Sequence, residues 1–145
     1  IGTGLISAAT PLVAPVVGAA VLVDAIATES DVPTITLYRG VAADHPAYAL
    51  AVMGTAVPIG GHDDPVRHSL GDNRSIFTSW TTDWGTAQYF GTTSYLSSNR
   101  SPGVILTATV PITRVISAPG LQARSEYEHL VIGPVTGAKV THVTP

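Results

Sequence analysis

The polar residues with the clearest chemical potential stand inside, or at the ends of, segments that have the composition of β-strands. Arg39 ends one such segment, Ser79 lies within a second, and the pair Glu126 and Glu128 introduces a third. An arginine fork binds phosphate through paired hydrogen bonds, a hydroxyl orients its neighbours, and a carboxylate stabilises positive charge beside it. The three features together indicate a site in which arginine holds a phosphate and a carboxylate faces a sugar.

The two glutamates are separated by a single residue, Tyr127. In an extended chain alternate side chains project to one face, which predicts that Glu126 and Glu128 stand side by side and that Tyr127 points away. Two like charges at that distance cost free energy unless a ligand or a reaction uses them. Carboxylates so placed lie on one side of a substrate, whereas those of a glycosidase flank the bond that breaks.

Ordinary structural roles are the alternative for each feature taken alone. Arg39 also fits a surface arginine at the end of a strand, and Ser79 fits a polar neighbour of strand-forming residues. Glu126 and Glu128 also fit a solvated strand edge that discourages aggregation. For the three features taken together, in their order along the chain, a functional role is favoured over these structural roles, because motif matches gain weight when their predicted contexts agree.

Composition limits the classes of protein to which the chain can belong. It has 145 residues, a formal net charge of -3, seven Lys and Arg residues in total, and no cysteine. This length predicts one domain with enough apolar residues for a core. So few, scattered basic residues argue against a surface that binds nucleic acid by neutralising phosphates, and leave nucleic acid only as a substrate. Without cysteine there are no disulfides, thiolate metal sites or cysteine nucleophiles.

Residues 1–30 differ from the rest and are predicted to be a hydrophobic N-terminal segment, with residues 31–145 as the functional domain. The segment has no charged residue before position 24 and contains a predicted helix over residues 14–28. Pro11 and Pro15 interrupt it, and no basic residue precedes it as in a signal peptide. Two interpretations stay open, a helix buried against the domain or a partner and a membrane-active segment. The absence of an initial Met favours a piece of a larger protein.

Periodicity and turn residues predict an α+β domain around a twisted antiparallel or mixed sheet. The predicted strands are residues 34–39, 75–80, 104–110, 114–117, 128–132 and 138–143. Asp44 is predicted to cap a helix that ends near residue 54, and Asp83 to cap a second one. The second helix is expected to carry Trp84, Ala87 and Phe90 on one face.

Residues 60–73 are rich in Gly and Asp and are predicted to form a long loop. His62, Asp63, Asp64 and His68 within it invite a metal-site interpretation. Their spacing offers no pairing on a helix face like that of His-Glu-x-x-His, so a polar loop without metal is the prediction. The sequence also lacks a Gly-x-Ser-x-Gly elbow, which argues against a Ser-His-Asp hydrolase of the kind built on that turn.

Three segments in order along the chain carry a resemblance to a known family. They are Leu37-Tyr38-Arg39-Gly40, then residues 77–83, then Glu126-Tyr127-Glu128. Together they resemble the arginine, Ser-Thr-Ser and Glu-x-Glu motifs of the R-S-E group of mono-ADP-ribosyltransferases, and the match spans about residues 34–143. The central motif reads Ser79-Trp80-Thr81, with Thr81 in the place of the second hydroxyl. The chain is also similar to C-terminal toxin domains of Rhs-type polymorphic bacterial effectors.

The resemblance implies an ADP-ribosyltransferase-like fold, in which two packed, twisted sheets and a few short helices form a cleft for NAD. NAD is a substrate in this family, and no metal is implied. Glu128 would stabilise the oxocarbenium-like ribose, Glu126 would position or deprotonate the acceptor, and Ser79 would hydrogen-bond Glu128. Arg39 would hold a phosphate or the adjacent ribose. The implied NAD-binding residues are Tyr38, Arg39, Gly40, Ser79, Trp80, Thr81 and Phe90.

The implied activity is transfer of ADP-ribose from NAD to a protein or nucleic acid, with release of nicotinamide. A Glu at position 126 favours an arginine acceptor by the family's pattern. An NAD glycohydrolase on the same fold and a non-catalytic binding or assembly domain of a larger effector are the alternatives. The expected partners are the target macromolecule, an immunity protein and the parent effector's shell, and insertion of the N-terminal segment into a membrane stays open. The expected setting is a secreted or injected effector that acts in the target cell's cytoplasm.

Overall fold

The computed structural model describes residues 32–117 and 127–145. The predicted hydrophobic segment 1–30, its helix included, and Glu126 lie outside the described residues. Among the described residues, no helix has both the length and the apolar character needed to cross a membrane.

Short strands dominate the described part of the chain, with a few short helices between them. In chain order the elements are β1 (Thr34–Ala42), α1 (Tyr48–Ala51), α2 (Pro65–Ser69), β2 (Phe77–Thr81), α3 (Trp84–Gly91), β3 (Gly103–Pro111), a 3-10 helix (Ile112–Arg114), β4 (Val115–Ser117), β5 (Glu128–Ile132) and β6 (Lys139–Val143). This composition confirms the predicted α+β class. The predicted strands all occur, and no end moves by more than three residues.

The described strands form one six-stranded sheet in the order β4-β5-β2-β1-β3-β6, and every pairing is antiparallel. β1 pairs with β3 along its whole length, whereas β1 and β2 share the single register pair Tyr38↔Thr81. The sheet therefore has two three-stranded halves joined at one point. The resemblance implied two packed sheets; the described strands instead hydrogen-bond into one sheet that divides at this junction.

β1 continues two residues past Gly40, although the sequence predicted that it ends there. Pairing with β3 continues through Ala42, and Gly40 instead permits the close packing of α3 on β1. A Cβ built on Gly40 would lie 1.8 Å from the Ala87 carbonyl oxygen and 2.6 Å from the Gly91 nitrogen. Gly40 is thus required by the approach of two backbones and does not mark a turn.

The core lies where the sheet is covered by helices and loops. Side chains that are fully buried include Leu37, Val41, Val104, Ile105, Leu106, Leu130 and Val131. Trp80 joins this core at 2% exposure, and its Nε1 donates a 2.8 Å hydrogen bond to the Thr78 hydroxyl. A buried indole N–H needs such a partner, so the tryptophan contributes to packing without an unsatisfied donor.

Helix starts were predicted with mixed success. Asp83 caps α3 as predicted, because its carboxylate accepts a 2.8 Å hydrogen bond from the Thr86 backbone N–H. Asp44 does not cap α1, which begins at Tyr48 without a side-chain cap. The Asp44 carboxylate instead accepts hydrogen bonds from the Ser94 hydroxyl and, at 2.9 Å, from the Tyr95 N–H.

The predicted loop 60–73 contains α2, a helix of five residues. Asp64 caps it by accepting hydrogen bonds from the Val66 and Arg67 N–H groups at 2.9 and 3.4 Å, and Pro65 occupies its first turn. The Asp-Pro pair was interpreted as a loop signal, but it also fits an N-cap followed by proline at the first helical position.

Candidate functional site

A cavity of about 460 Å³ opens where β1 and β2 diverge. The structure places every predicted site residue that it describes on the lining of this cavity. These residues are Tyr38, Arg39, Gly40, Ser79, Trp80, Thr81, Phe90 and Glu128. Glu126, the remaining predicted residue, lies outside the described part of the chain. The volume lies within the range of small-molecule binding sites.

Arg39 bridges the gap between the two diverging strands. Its Nη1 donates a 2.8 Å hydrogen bond to the backbone carbonyl of Ser79. Beyond the Tyr38↔Thr81 pair β1 and β2 are no longer in register, so this carbonyl is satisfied by a side chain from the neighbouring strand. The guanidinium is thereby fixed at the junction that the cavity surrounds.

The Arg39 guanidinium keeps unused hydrogen-bonding capacity. Its Nε is buried and has no hydrogen-bond partner among the described residues. Burial lowers the pKa of Arg39 to about 10, which leaves the group protonated at neutral pH. A buried cationic donor without a partner is costly, and an anionic ligand in the cavity would relieve that cost.

Glu128 stands at the start of β5, half-buried on the cavity lining. The β2–β5 register pairs it directly with Thr81, while Ser79 pairs with Leu130. Since directly paired residues share a face of the sheet, Ser79 is the diagonal neighbour of Glu128. The register therefore places two hydroxyl-bearing residues of β2 beside this carboxylate.

The extended chain predicted through the two glutamates is wrong at Tyr127. This residue has φ 53°, in the left-handed region that non-glycine residues seldom adopt, and β5 begins only after it. The alternation rule of a strand therefore applies only from Glu128 onward. Tyr127 itself is 56% exposed.

The hydroxyl of Ser79 was expected to meet Glu128, and the partner that the structure gives it is His68. His68 Nε2 lies 2.9 Å from Ser79 Oγ, and His68 Nδ1 lies 2.6 Å from Ser75 Oγ. His68 is 8% exposed and Ser75 is fully buried. In the sequence His68 stands out only as a metal-ligand candidate within a loop, and its contact with Ser79 is not predicted; the capping pattern at Asp64 is the signal for the helix that carries it.

A second histidine, also missed from the sequence, lines the cavity next to Arg39. The Ala47 N–H donates a 2.9 Å hydrogen bond to His45 Nδ1, so the neutral ring carries its proton on Nε2. Burial, and secondarily the charge of Arg39, lower the pKa of His45. The ring packs edge-on against Tyr95 with centroids 4.4 Å apart, and the Tyr95 N–H donates a 2.9 Å hydrogen bond to the Asp44 carboxylate.

Aromatic side chains form an exposed rim on the cavity. Tyr89 and Phe90 of α3 are 58% and 42% exposed and contact each other edge-on at 5.5 Å. Trp84 is also exposed, so α3 does not bury the apolar face predicted for it, and only Ala87 of that set is buried. Exposed ring faces beside a cationic site suit a planar heteroaromatic ligand.

Both histidines of residues 60–73 make hydrogen bonds within the protein. His62 Nε2 lies 2.9 Å from the Asp72 carbonyl, and His68 is occupied by the two serines described above. Within residues 32–117 and 127–145 no group of three His, Cys, Asp or Glu side chains is arranged to hold a metal ion.

Comparison with known proteins adds no family to this picture. The chain matches no model of a known protein family, and no curated protein sequence matches it. The function therefore has to be argued from the geometry and chemistry of the cavity.

Proposed function

We propose that the domain is an NAD-dependent mono-ADP-ribosyltransferase, which transfers ADP-ribose from NAD to an acceptor on a target macromolecule and releases nicotinamide. One observation carries the proposal: Arg39, Ser79 and Glu128, which stand on three different strands, line one cavity. Their order along the chain supports it, since it resembles the order of the R-S-E motifs. The ADP-ribosyltransferase-like fold is part of the same proposal and is compatible with the antiparallel sheet and its short helices.

The charges on the cavity lining complement those of NAD. Among the described lining residues, Arg39 carries a positive charge and Glu128 a carboxylate. NAD carries a diphosphate and, on its nicotinamide ring, a positive charge. The proposal places the diphosphate at Arg39, whose buried Nε lacks a partner, and the nicotinamide ribose at Glu128. The exposed rings of Tyr89 and Phe90 offer surfaces for a planar base.

Cleavage of the bond between ribose and nicotinamide is favoured by an anion near the ribose. When the bond between ribose C1′ and the nicotinamide nitrogen breaks, its electron pair leaves with nicotinamide and positive charge develops on the ribose. The Glu128 carboxylate accepts a hydrogen bond from the ribose 2′-hydroxyl and stabilises this charge, more strongly in the transition state than in the bound substrate. An acceptor nucleophile, an arginine side chain by preference, then attacks C1′ and gives up a proton. The role of Glu126 as the base for that proton rests on the sequence alone.

The first experiment measures NAD turnover by the purified chain, with NAD labelled in its ADP-ribose part, in the presence and absence of a bacterial lysate. Free nicotinamide and label bound to macromolecules are followed together. Glu128→Gln should lower transfer by about 100-fold or more, because it removes the charge that stabilises the transition state. Asp63→Asn is the matched control, since Asp63 is exposed and does not line the cavity.

The outcomes separate the candidate functions. Transfer that requires lysate and is lost in Glu128→Gln supports the transferase, and the labelled species identifies the acceptor. Nicotinamide release without transfer would replace it with an NAD glycohydrolase. No turnover by the wild-type chain under either condition would refute the enzyme and favour a binding or assembly domain.

The proposed setting is that of a toxin domain of a secreted or injected bacterial effector, and it is supported by the sequence resemblance. The expected partner besides the target is an immunity protein that neutralises the domain in its producer. Expression of the wild-type chain in a bacterial host should arrest growth, and expression of Glu128→Gln should not. A producer that tolerates the active domain without any protective gene would contradict the immunity protein.

A further inference from the structure

A line of hydrogen-bonding groups leads from the backbone of β2 to the cavity. The Phe77 N–H donates to Ser75 Oγ at 3.2 Å, Ser75 Oγ lies 2.6 Å from His68 Nδ1, and His68 Nε2 lies 2.9 Å from Ser79 Oγ. Of these four residues, Ser79 lines the cavity. The direction in which each hydrogen bond is donated decides which group Ser79 presents to a ligand.

Two directions are conceivable for a neutral imidazole, which donates through one nitrogen and accepts through the other. If Ser79 donated to Nε2, then Nδ1–H would donate to Ser75, and the Ser75 hydroxyl hydrogen would need another acceptor. Ser75 is 0% exposed, and its hydroxyl has no hydrogen-bond partner among the described residues besides His68 and the Phe77 N–H. Such a buried, unsatisfied hydroxyl is unfavourable.

The opposite direction gives the hydroxyl hydrogen of the fully buried Ser75 an acceptor. The Phe77 N–H donates to Ser75, the Ser75 hydroxyl donates to His68 Nδ1, and His68 Nε2–H donates to Ser79. The Ser79 Oγ lone pair facing His68 is then occupied, and its own hydrogen is free to donate elsewhere. The burial of Ser75, which leaves His68 Nδ1 as the acceptor for its hydroxyl hydrogen, thus sets the polarity of the whole line.

We infer that His68 is a positioning residue: as an Nε2–H donor to Ser79, it directs the Ser79 hydroxyl hydrogen toward the cavity, where the Glu128 carboxylate is the acceptor. The register places Glu128 diagonally across from Ser79 on the same face. This inference rests on the proposed function for its catalytic consequence, which is that the Glu128 carboxylate is held in the orientation needed at the ribose.

The surroundings of His68 favour the neutral ring that the inference needs. Burial is the largest influence and lowers the pKa of His68, and the charges of Arg39 on β1 and His62 before α2 act in the same direction. Asp72, in the loop after α2, opposes them. The neutral form therefore prevails at neutral pH.

The hydrogen-bond direction can be tested without any enzymatic activity. Nitrogen chemical shifts of the His68 ring in the full chain distinguish the Nε2–H tautomer from the Nδ1–H tautomer. The expected result at neutral pH is Nε2–H in the wild type, and a loss of this preference in Ser75→Ala, which removes the partner of Nδ1. An Nδ1–H tautomer in the wild type would overturn the inference.

The catalytic consequence is tested with a double-mutant cycle on NAD turnover. Ser79→Ala should lower kcat/KM by about 10- to 100-fold, the range expected for one hydrogen bond to a charged group. His68→Asn, whose amide is too short to replace Nε2, should cost a similar factor, and the double variant no more than Ser79→Ala alone. His68→Gln, whose amide can reach Ser79, should recover part of the loss.

Controls separate this role from plain packing. Ser69→Ala removes a buried hydroxyl on the same helix that has no hydrogen-bond partner among the described residues, so turnover should not change. Independent, multiplying losses from His68→Asn and Ser79→Ala would refute the positioning role. If His68→Asn fails to fold, Ser75→Ala replaces it in the cycle. If the wild type turns over no NAD, the proposed function fails, while the tautomer still decides the direction of donation.

Discussion

Replacing Gly40 by alanine tests the close packing that shapes both the sheet and the cavity. Gly40 lies near the C-terminal end of β1 and on the cavity lining, in close contact with the backbone of α3. The added Cβ would lie 1.8 Å from the Ala87 carbonyl oxygen and 2.6 Å from the Gly91 nitrogen. Both obstacles are backbone atoms, so no side-chain rotation can make room.

The size of the effect follows from these distances. An ordinary contact between carbon and oxygen begins near 3.4 Å, so the Cβ and the Ala87 oxygen would have to separate by about 1.6 Å. Overpacking a core usually lowers the free energy of unfolding by about 1–3 kcal/mol. Because the obstacles at Gly40 are backbone atoms, we expect Gly40→Ala to lower it by about 3 kcal/mol or more. For a domain of this size that lowers Tm by about 12 °C or more. The shift of α3 would also displace Tyr89 and Phe90 at the cavity rim.

Thermal and urea unfolding of the wild type, Gly40→Ala and Gly85→Ala measure the effect. Gly85 is the matched control on the same helix, because its added Cβ would meet only the Asp83 Oδ2 atom, at 3.3 Å. The Gly85→Ala variant should be as stable as the wild type or more stable, since alanine is a better helix former than glycine. A Gly40→Ala variant as stable as Gly85→Ala would refute the packing of α3 on β1 described above.

The remaining predictions concern single interactions. Trp80→Phe should lower the free energy of unfolding by about 1–3 kcal/mol in urea titrations, because it leaves the buried Thr78 hydroxyl without its donor; an unchanged value would contradict that hydrogen bond. Asp83→Ala should lower the free energy of unfolding by about 1 kcal/mol in the same assay, because it removes the cap of α3. Asp83→Asn should keep most of that stability, because Asn is also a good N-cap residue. Hydrogen bonds from the 94–95 loop lower the pKa of Asp44, so its stabilising effect should be complete above the ordinary value of 3.8 and lost as pH falls through the lower folded-state pKa. Unfolding curves of the wild type and Asp44→Asn should therefore differ at neutral pH and converge in acid, and a difference that persists in acid would contradict this.

Local patterns in the sequence were sufficient for most secondary structure. The run of strand-forming residues before Gly133 and Pro134 predicted a strand at residues 128–132, and β5 has the same bounds. The Asp83 cap begins α3 where it was expected. Such signals succeed because strand composition, turn residues and capping depend on residues a few positions apart. The same kind of signal gave a wrong prediction at Asp64-Pro65, because this pair is typical both of a loop and of a helix N-terminus. In the structure it begins a helix inside the predicted loop.

The sequence by itself determined the α+β class, the strand positions and the residues worth examining. The tertiary structure alone decided how they meet: the sheet divides after Tyr38↔Thr81, and Arg39 spans that division to the Ser79 carbonyl. It also brought His68 to Ser79, a partner that no motif contains. The physical reason is that periodicity records which face of an element is apolar, whereas hydrogen bonds between distant residues depend on strand order and register, which emerge only when the whole domain packs.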